Sequence, residues 1–397
     1  MGRAPASLHY LTVLLGLLLL GAGGVAGFNA AMDPLWFFTH AHPLNRVQPG
    51  FDERAQKTNW LQARPEQFNA VMLGSSRSTY IDQNDLAPLH LFNYSVNAMW
   101  PQEYRQYLDH FAAVNGRAPD LVIMGVDFFG SQKNFAGTWR SPEVYLRRVD
   151  DPRYMVGSLL SLSLLERSLR VAVASVRLTK SIRQSDYYDR NNVRHFRTVI
   201  EPRQRQAAVL SNLLGFRDEF YRNYSYNEEL PQIWADLRRA YPHTRFVVFT
   251  TPETGLLFAL LVREGRLPSY ERWLGDLVSA FDEVWDFMGP NSVTTDLANY
   301  RDAQHFHPRI GTLVANRLMA RPVAPQHGDF GQLLSRHNLA KHVALVRSRL
   351  HCLDPDPIST ARARLDQARA ANWSSGSMGR KTAARGQCRA ADQGGMT

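Results

Sequence analysis

Cysteine is nearly absent from this chain, with only Cys352 and Cys388 in 397 residues. Both lie near the C-terminal end, so neither a disulfide framework nor a thiolate metal site supports the core. A fold that avoids thiols is compatible with an oxidising compartment. The sequence also lacks zinc-finger spacing, a Walker A loop and a GxGxxG fingerprint. We therefore predict a protein without a metal or other cofactor.

The chain also lacks an even distribution of basic charge, because most of its excess positive charge lies at the C-terminal end. The formal net charge is +10, but from Arg336 to the end there are 11 Lys and Arg against 4 Asp, a net of +7. Only +3 remains on everything before that point. We therefore expect no nucleic-acid partner, and a basic tail that is either solvated or in contact with an anionic lipid or polymer.

One long hydrophobic run is present, at the N-terminus. Tyr10–Phe28 contains 19 residues without a charge, preceded by Arg3 and followed by Asp33. Its length suits a membrane span or a signal-peptide core, and small residues at 22–26 would suit cleavage. Because the run exceeds a usual signal core, we favour an uncleaved anchor with a cytoplasmic N-terminus and an exported body.

Five short apolar runs separated by helix-length segments predict the fold class. Runs of this kind are typical of an α/β protein whose parallel sheet has helices on both faces. The connecting helices are expected within 101–115 and 254–282. The predicted strands are Ala70–Leu73, Leu91–Val96, Leu121–Val126, Arg245–Thr250 and Glu283–Phe287.

The domain boundaries follow from these runs. A largely helical insertion is expected at 131–240, and its apolar stretch Met155–Leu178 carries Glu166, Arg167 and Arg170. Those charges argue against a second span, so the stretch would pack on the body or lie against a membrane or partner. The predicted divisions are a cytoplasmic stub and anchor helix at 1–32, a linker at 33–65, the main domain at 66–325, a helical extension at 326–353 and a disordered basic tail at 354–397.

A hydroxyl-rich turn directly follows the first predicted strand. In "NAVMLGSSRSTY" (69–80), Gly74 is followed by Ser75, Ser76, Arg77 and Ser78. Strand-Gly-Ser turns are common in α/β proteins, so this one is either an ordinary loop or the site of a nucleophile. We expect Ser75 and Ser78 to serve the turn and a helix cap, because hydroxyls satisfy open N–H groups there.

A serine nucleophile needs a base and a group that orients the base. In "YRDAQHFHPRIG" (300–311), Asp302 and His305 are three residues apart, so one loop can hold a carboxylate against an imidazole. Loops at the carboxyl ends of parallel strands share one edge, where Ser76 is also expected. Asp302, His305 and His307 could instead ligate a metal, although no fourth ligand is evident. The turn lacks the closing glycine of GxSxG, which argues against an α/β-hydrolase.

Gly-x-Ser after the first strand and Asp-x-x-His before the last helix resemble the SGNH (GDSL-type) hydrolase superfamily. The likeness covers roughly residues 60–320 and is greatest to its envelope branch, the proteins of alginate O-acetylation and teichoic-acid D-alanylation. It implies a three-layer α/β/α, flavodoxin-like fold. It also implies that Ser76 is the nucleophile, His305 the base and Asp302 its orienting acid.

Two positions depart from the pattern of that superfamily. The glycine of its second block is replaced by Asn97-Ala98, so the implied oxyanion hole consists of Ser76, Asn97 and Ala98. The third block is normally GxND, and here Asp127 stands in place of the asparagine. A carboxylate cannot donate a hydrogen bond to an oxyanion. Asp127 is therefore protonated, paired with Arg77 or outside the hole, and both residues are candidates for substrate binding.

The resemblance and the anchor together imply a function. We expect a single-pass inner-membrane protein whose periplasmic body is a serine esterase or O-acyltransferase. Its partners would be an acylated or acyl-accepting envelope glycan and a membrane acyl-transfer protein. The alternative is a non-catalytic glycan-binding or scaffolding protein on a degenerate SGNH fold. Four aromatic side chains could stack on sugar rings or be buried: Trp100, Trp139, Tyr187 and Tyr188.

Overall fold

The computed structural model describes residues 6–50, 52–65, 67–133, 141–180, 186–196 and 200–374. The fold is α/β with a mostly parallel sheet of six strands, which confirms the predicted class. Arg3, Trp139, Cys388 and the tail beyond Ser374 lie outside the described residues.

The elements have the following bounds. The helices are α1 Ala6–Met32, α2 Glu53–Gln62, α3 Tyr104–Asn115, α4 Pro142–Leu146, α5 Pro152–Leu159, α6 Leu162–Lys180, α7 Pro202–Gly215, α8 Leu230–Ala240, α9 Gly255–Arg263, α10 Leu267–Phe281, α11 Pro308–Leu318, α12 Leu339–Ser348 and α13 Pro357–Ser374. The strands are β1 Ala70–Leu73, β2 Leu91–Asn93, β3 Leu121–Val126, β4 Tyr187–Tyr188, β5 Arg194–His195, β6 Arg245–Thr250, β7 Glu283–Asp286 and β8 Gln332–Ser335.

The chain divides into two compact units. The first is drawn from Met1–Ile123, Gly137–Val199 and Tyr241–Arg245. The second is drawn from Met124–Ala136, Ile200–Ala240 and Phe246–Thr397.

In the first unit, β1 and β2 pair in parallel, with Ala70 opposite Leu91 and Met72 opposite Asn93. All residues of both strands are buried, as expected for continuous apolar runs with both faces covered. The ring of Phe92 stacks on Trp60 with centroids 5.1 Å apart. The serine turn and the Asn97 loop follow the carboxyl ends of these two paired strands.

The predicted linker at 33–65 is wrong, because it contains α2. This helix buries polar side chains, among them Gln56 and Asn59, whose amides donate to the carbonyl oxygens of Pro34 (3.0 Å) and Leu35 (2.9 Å). The helix begins at the Asp52 cap, whose carboxylate accepts the N–H of Ala55. A helix that buries satisfied polar groups has no apolar period, so α2 leaves no helical pattern in the sequence.

In the second unit, β6 and β7 are parallel, and β8 pairs antiparallel with β7. Strand β8 corrects the predicted helical extension at 326–353, of which only α12 and short 3₁₀ turns are helical. The predicted helix at 254–282 is two helices, α9 and α10. They are separated at Gly265, whose φ of +73° favours glycine.

The predicted disorder from residue 354 is also wrong for the described part of the tail. Helix α13 packs against α7 and α9. It buries Ile358, Ala361 and Leu365, which recur every three or four residues and so share one helix face. The Ala- and Arg-rich composition hid this sparse stripe.

Candidate active site

The turn after β1 presents one serine toward the surface. From Val71 through Tyr80 every residue is buried except Ser76, which is partly exposed. The hydroxyl of Ser75 accepts the N–H of Arg77 at 3.3 Å, and the Ser75 carbonyl accepts the N–H of Ser78 at 3.0 Å. Ser75 thus has the expected turn role. The expected cap role of Ser78 is wrong, because Ser78 lies inside a 3₁₀ helix whose N-cap residue is Arg77, and among the described residues its buried hydroxyl has no hydrogen-bond partner. Arg77 is buried, so its side chain is not part of an open surface.

A polar cluster in the first unit holds this turn. The Thr79 hydroxyl donates to the carbonyl oxygen of Ser76 (2.6 Å) and accepts from the guanidinium of Arg194 (2.5 Å). Arg194 also donates to both oxygens of Asp186, at 2.9 and 2.8 Å, and lies 3.4 Å from Glu53. Burial lowers the pKa of Arg194, but Tyr188, Glu53 and Asp186 raise it by more, so Arg194 stays charged. The charged guanidinium of Arg194, bound bidentately to Asp186, therefore holds the Thr79 hydroxyl that donates to the Ser76 carbonyl.

The loop carrying Asn97 and Ala98 leaves the neighbouring strand at the same edge. Its approach is defined by the N–H of Val96, which donates to the Gly74 carbonyl at 3.0 Å. The Asn97 N–H, an expected oxyanion donor, instead donates to the Glu53 carboxylate at 2.9 Å. Ala98 has a φ of +46°, the left-handed region that favours the glycine expected there.

Arg54 on α2 hydrogen-bonds to the backbone of this loop. Its guanidinium donates to the carbonyl oxygens of Asn97 and Ala98, both at 3.2 Å, and to the Tyr107 hydroxyl at 2.7 Å. It also forms a buried ion pair with Glu103. The backbone conformation of the loop is therefore set by several hydrogen bonds and is not a property of the loop alone.

In the second unit, Asp302 and His305 form a hydrogen-bonded pair. His305 Nδ1 and Asp302 Oδ2 lie 2.8 Å apart, and the other carboxylate oxygen accepts the N–H groups of Gln304 (2.9 Å) and His305 (2.8 Å). Burial raises the pKa of the Asp302 carboxyl, but His305 and the two N–H groups lower it further, so it lies below its ordinary value. The carboxylate is thus ionised and immobile. It can hold the imidazole in the tautomer with Nδ1 protonated, which leaves Nε2 able to accept a proton.

The loop after β6 hydrogen-bonds both to the loop of this pair and to Asp127, which follows β3. The Thr254 hydroxyl donates to the Ala303 carbonyl at 2.8 Å, beside Asp302. The Thr251 hydroxyl donates to the carboxylate of Asp127, which is buried. Asp127 therefore accepts a hydrogen bond from Thr251 at the end of β3, where the superfamily pattern has a donor.

His307 lies two residues beyond His305 and carries a neutral imidazole. Burial and the nearby Arg309, Arg205 and Arg301 lower the pKa of its imidazole to about 4, so the ring is neutral at pH 7. His307 occupies the N-cap position of α11, and its side chain makes no capping hydrogen bond there. Within the described part of the chain, no three His, Cys, Asp or Glu side chains are grouped to hold a metal ion.

The aromatic candidates for sugar stacking are enclosed where the structure describes them. Trp100, Tyr187 and Tyr188 are all buried, and the Tyr188 hydroxyl donates to Glu53 at 2.6 Å. Their burial fits the alternative that these rings pack in the protein interior and do not stack on sugar rings.

Sequence reasoning missed the residues that support each candidate group. Thr251 and Thr254 directly follow the apolar run of β6, the same strand-to-polar-turn signal that identified Ser76, so they could have been found. Glu53 lies on the helix with no apolar period, and Arg194 lies in a polar section without a motif. Neither residue carries a local signal, because its role depends on tertiary contacts: Glu53 with Asn97 and Tyr188, and Arg194 with Thr79.

No protein-family model, curated protein or solved structure matches the chain.

Proposed function

We propose that this protein is an exported SGNH-type serine esterase or O-acyltransferase that acts on an envelope polysaccharide. The observation that carries the proposal is the Asp302–His305 pair, with its buried, ionised carboxylate at 2.8 Å from the imidazole. Helix α1 would anchor it, since it is long and apolar enough to cross a membrane. The parallel pairs β1–β2 and β6–β7 are compatible with a flavodoxin-like, three-layer fold.

In the proposed reaction, Ser76 Oγ attacks the carbonyl carbon of an ester while His305 Nε2 takes the hydroxyl proton. The tetrahedral intermediate then expels the alcohol, which receives that proton from His305, and an acyl-serine remains. Water as the second acceptor gives an esterase, and a sugar hydroxyl gives an O-acyltransferase. Asp302 holds the ring and stabilises the imidazolium without taking a proton.

One donor of the proposed oxyanion hole, the Asn97 N–H, is already hydrogen-bonded to Glu53. The Asn97 N–H would have to exchange its bond to Glu53 for a bond to the oxyanion. Loss of one such donor costs about 10²–10³ in rate. We therefore expect slow turnover with simple esters and faster turnover with a substrate that displaces Glu53.

A fluorophosphonate probe tests the proposal on the full-length protein in detergent. We expect labelling of the wild type, none of Ser76→Ala, and retained labelling of Ser78→Ala, a buried serine of the same turn. If protein with a native circular dichroism spectrum is not labelled, the proposal that it is a serine enzyme is refuted. Acetyl-ester and glycan acceptors then separate hydrolysis from transfer.

The second candidate function is non-catalytic binding of a glycan or scaffolding of an assembly. The bond from the Asn97 N–H to Glu53 favours it, because a carboxylate occupies the donor that catalysis requires. On this alternative, Ser76→Ala leaves glycan binding measured by calorimetry unchanged and the probe labels no residue.

A further inference from the structure

Helices α5 and α6 expose an apolar face that the first unit does not cover. The side chain of Leu162 is 72% exposed and that of Val156 is 54% exposed. On α6, the exposed apolar residues recur at helical spacing, whereas Leu164 and Val171 on the other side are buried. We call the following residues the α5–α6 face: Met155, Val156, Leu160, Leu162, Leu169, Val173 and Val176.

This face begins where α1 meets the rest of the first unit. The amide of Asn29 donates to the carbonyl oxygens of Leu159 (2.8 Å) and Ser161 (3.2 Å), at the corner between α5 and α6. The Ser168 hydroxyl donates to the Asn29 side-chain oxygen at 2.7 Å. Exposed Leu160 and Leu162 are therefore adjacent in the chain to the two residues, Leu159 and Ser161, that bind Asn29 of α1.

The length of α1 places that corner at the edge of a bilayer. Residues Tyr10–Leu20 expose their large apolar side chains, as a lipid-facing helix does. At about 1.5 Å per residue, the 19 steps from Tyr10 to Asn29 rise about 29 Å, close to the roughly 30 Å of a hydrocarbon core. If α1 spans, the α5–α6 corner lies at the level of the lipid headgroups.

The charge of α5 and α6 fits an anionic surface. Residues 152–180 contain five basic side chains against one acidic, Glu166, a net of +4. Arg153, Arg170 and Arg177 are exposed next to the apolar face, although Arg170 also pairs with Glu166 at 2.6 Å and Arg153 with Asp151 at 3.2 Å. An apolar stripe beside arginines is the composition of a helix that lies in a membrane interface.

We propose that the α5–α6 face lies in the headgroup region of the bilayer crossed by α1 and binds anionic phospholipid. Apolar side chains enter the acyl boundary while the arginines contact phosphates. The anchor and this face together give two attachments, so the first unit, which carries Ser76, is held at the membrane surface. This inference rests on the spanning role proposed for α1.

Spin labels on the full-length protein in vesicles test the inference. Single cysteines are introduced in a Cys352→Ser, Cys388→Ser background by Leu160→Cys and Leu169→Cys on the face. Matched positions are Leu15→Cys in α1 and Leu345→Cys on α12, an exposed leucine of the second unit. The vesicles contain phosphatidylcholine with a minor share of phosphatidylglycerol. Circular dichroism checks that each labelled protein is folded.

We expect the labels at 160 and 169 to collide several-fold more with oxygen, relative to a water-soluble nickel chelate, than the label at 345. Vesicles without phosphatidylglycerol should reduce that difference. Values at 160 and 169 equal to that at 345, with the label at 15 in lipid, would overturn the inference and leave the anchor standing. Water-like values at position 15 as well would refute the anchor. Spin coupling between chains at 160 would show a second copy on the face and also overturn the inference.

Discussion

The buried amine of Lys57 offers a sharp test of the packing around the serine turn. This side chain is 0% exposed, and its Nζ donates to the Asn93 carbonyl at 3.0 Å. Burial lowers the pKa of Lys57 from 10.5 to about 7, with Glu53 opposing the shift and Arg194 adding to it. At about 1.4 kcal/mol per pKa unit, the charged form costs on the order of 5 kcal/mol when buried.

The sign of the pH dependence follows from proton linkage. Between pH 7 and 10.5 the unfolded chain binds the proton more tightly than the folded one, so this group makes the free energy of unfolding rise with pH. Below about pH 7 the amine is charged in both states and the full penalty remains. The pH window of the effect therefore lies between the two pKa values.

We expect Lys57→Met to stabilise the first unit at about pH 6 by roughly 3–4 kcal/mol. This is the burial penalty less about 1 kcal/mol for the lost hydrogen bond. The gain should disappear near pH 10. Hydrogen exchange of peptides covering α2 and β2, in detergent with increasing urea, measures the stability of this region. Lys341→Met, on an exposed lysine, is the control. A Met variant that is less stable at low pH, or whose effect is independent of pH, would refute the reasoning.

Three further changes probe other parts of the molecule. Asp302→Asn should reduce kcat/KM for an ester by about 10⁴ because the imidazole takes the wrong tautomer, and it should leave thermal stability nearly unchanged. Ala98→Gly should raise the free energy of unfolding by about 1 kcal/mol, since it relieves a left-handed φ; a loss of stability in urea would contradict this. Leu365→Ala should cost about 2–4 kcal/mol by leaving a cavity under α13, whereas exposed Arg364→Ala should change the urea midpoint little.

Local pattern was sufficient where the physical cause is local. The predicted strands β1, β2 and β3 are buried over nearly all of their length, and this burial leaves a direct trace in their apolar composition; β6 and β7 are less buried but keep short apolar cores. The Asp302–His305 contact was also predictable, because three residues within one turn place the two side chains side by side. The apolar length of α1 is likewise a property of consecutive residues.

Tertiary structure alone decided the remainder. Helix α2 has no apolar period, because its buried face is polar and is satisfied by carbonyl groups from distant segments. Helix α13 forms on three apolar residues that require α7 as a partner. The bond from Asn97 to Glu53 and the link from Arg194 through Thr79 to Ser76 join segments far apart in the chain. No local propensity encodes such contacts, since the free energy that forms them comes from desolvation and charge pairing in the folded interior.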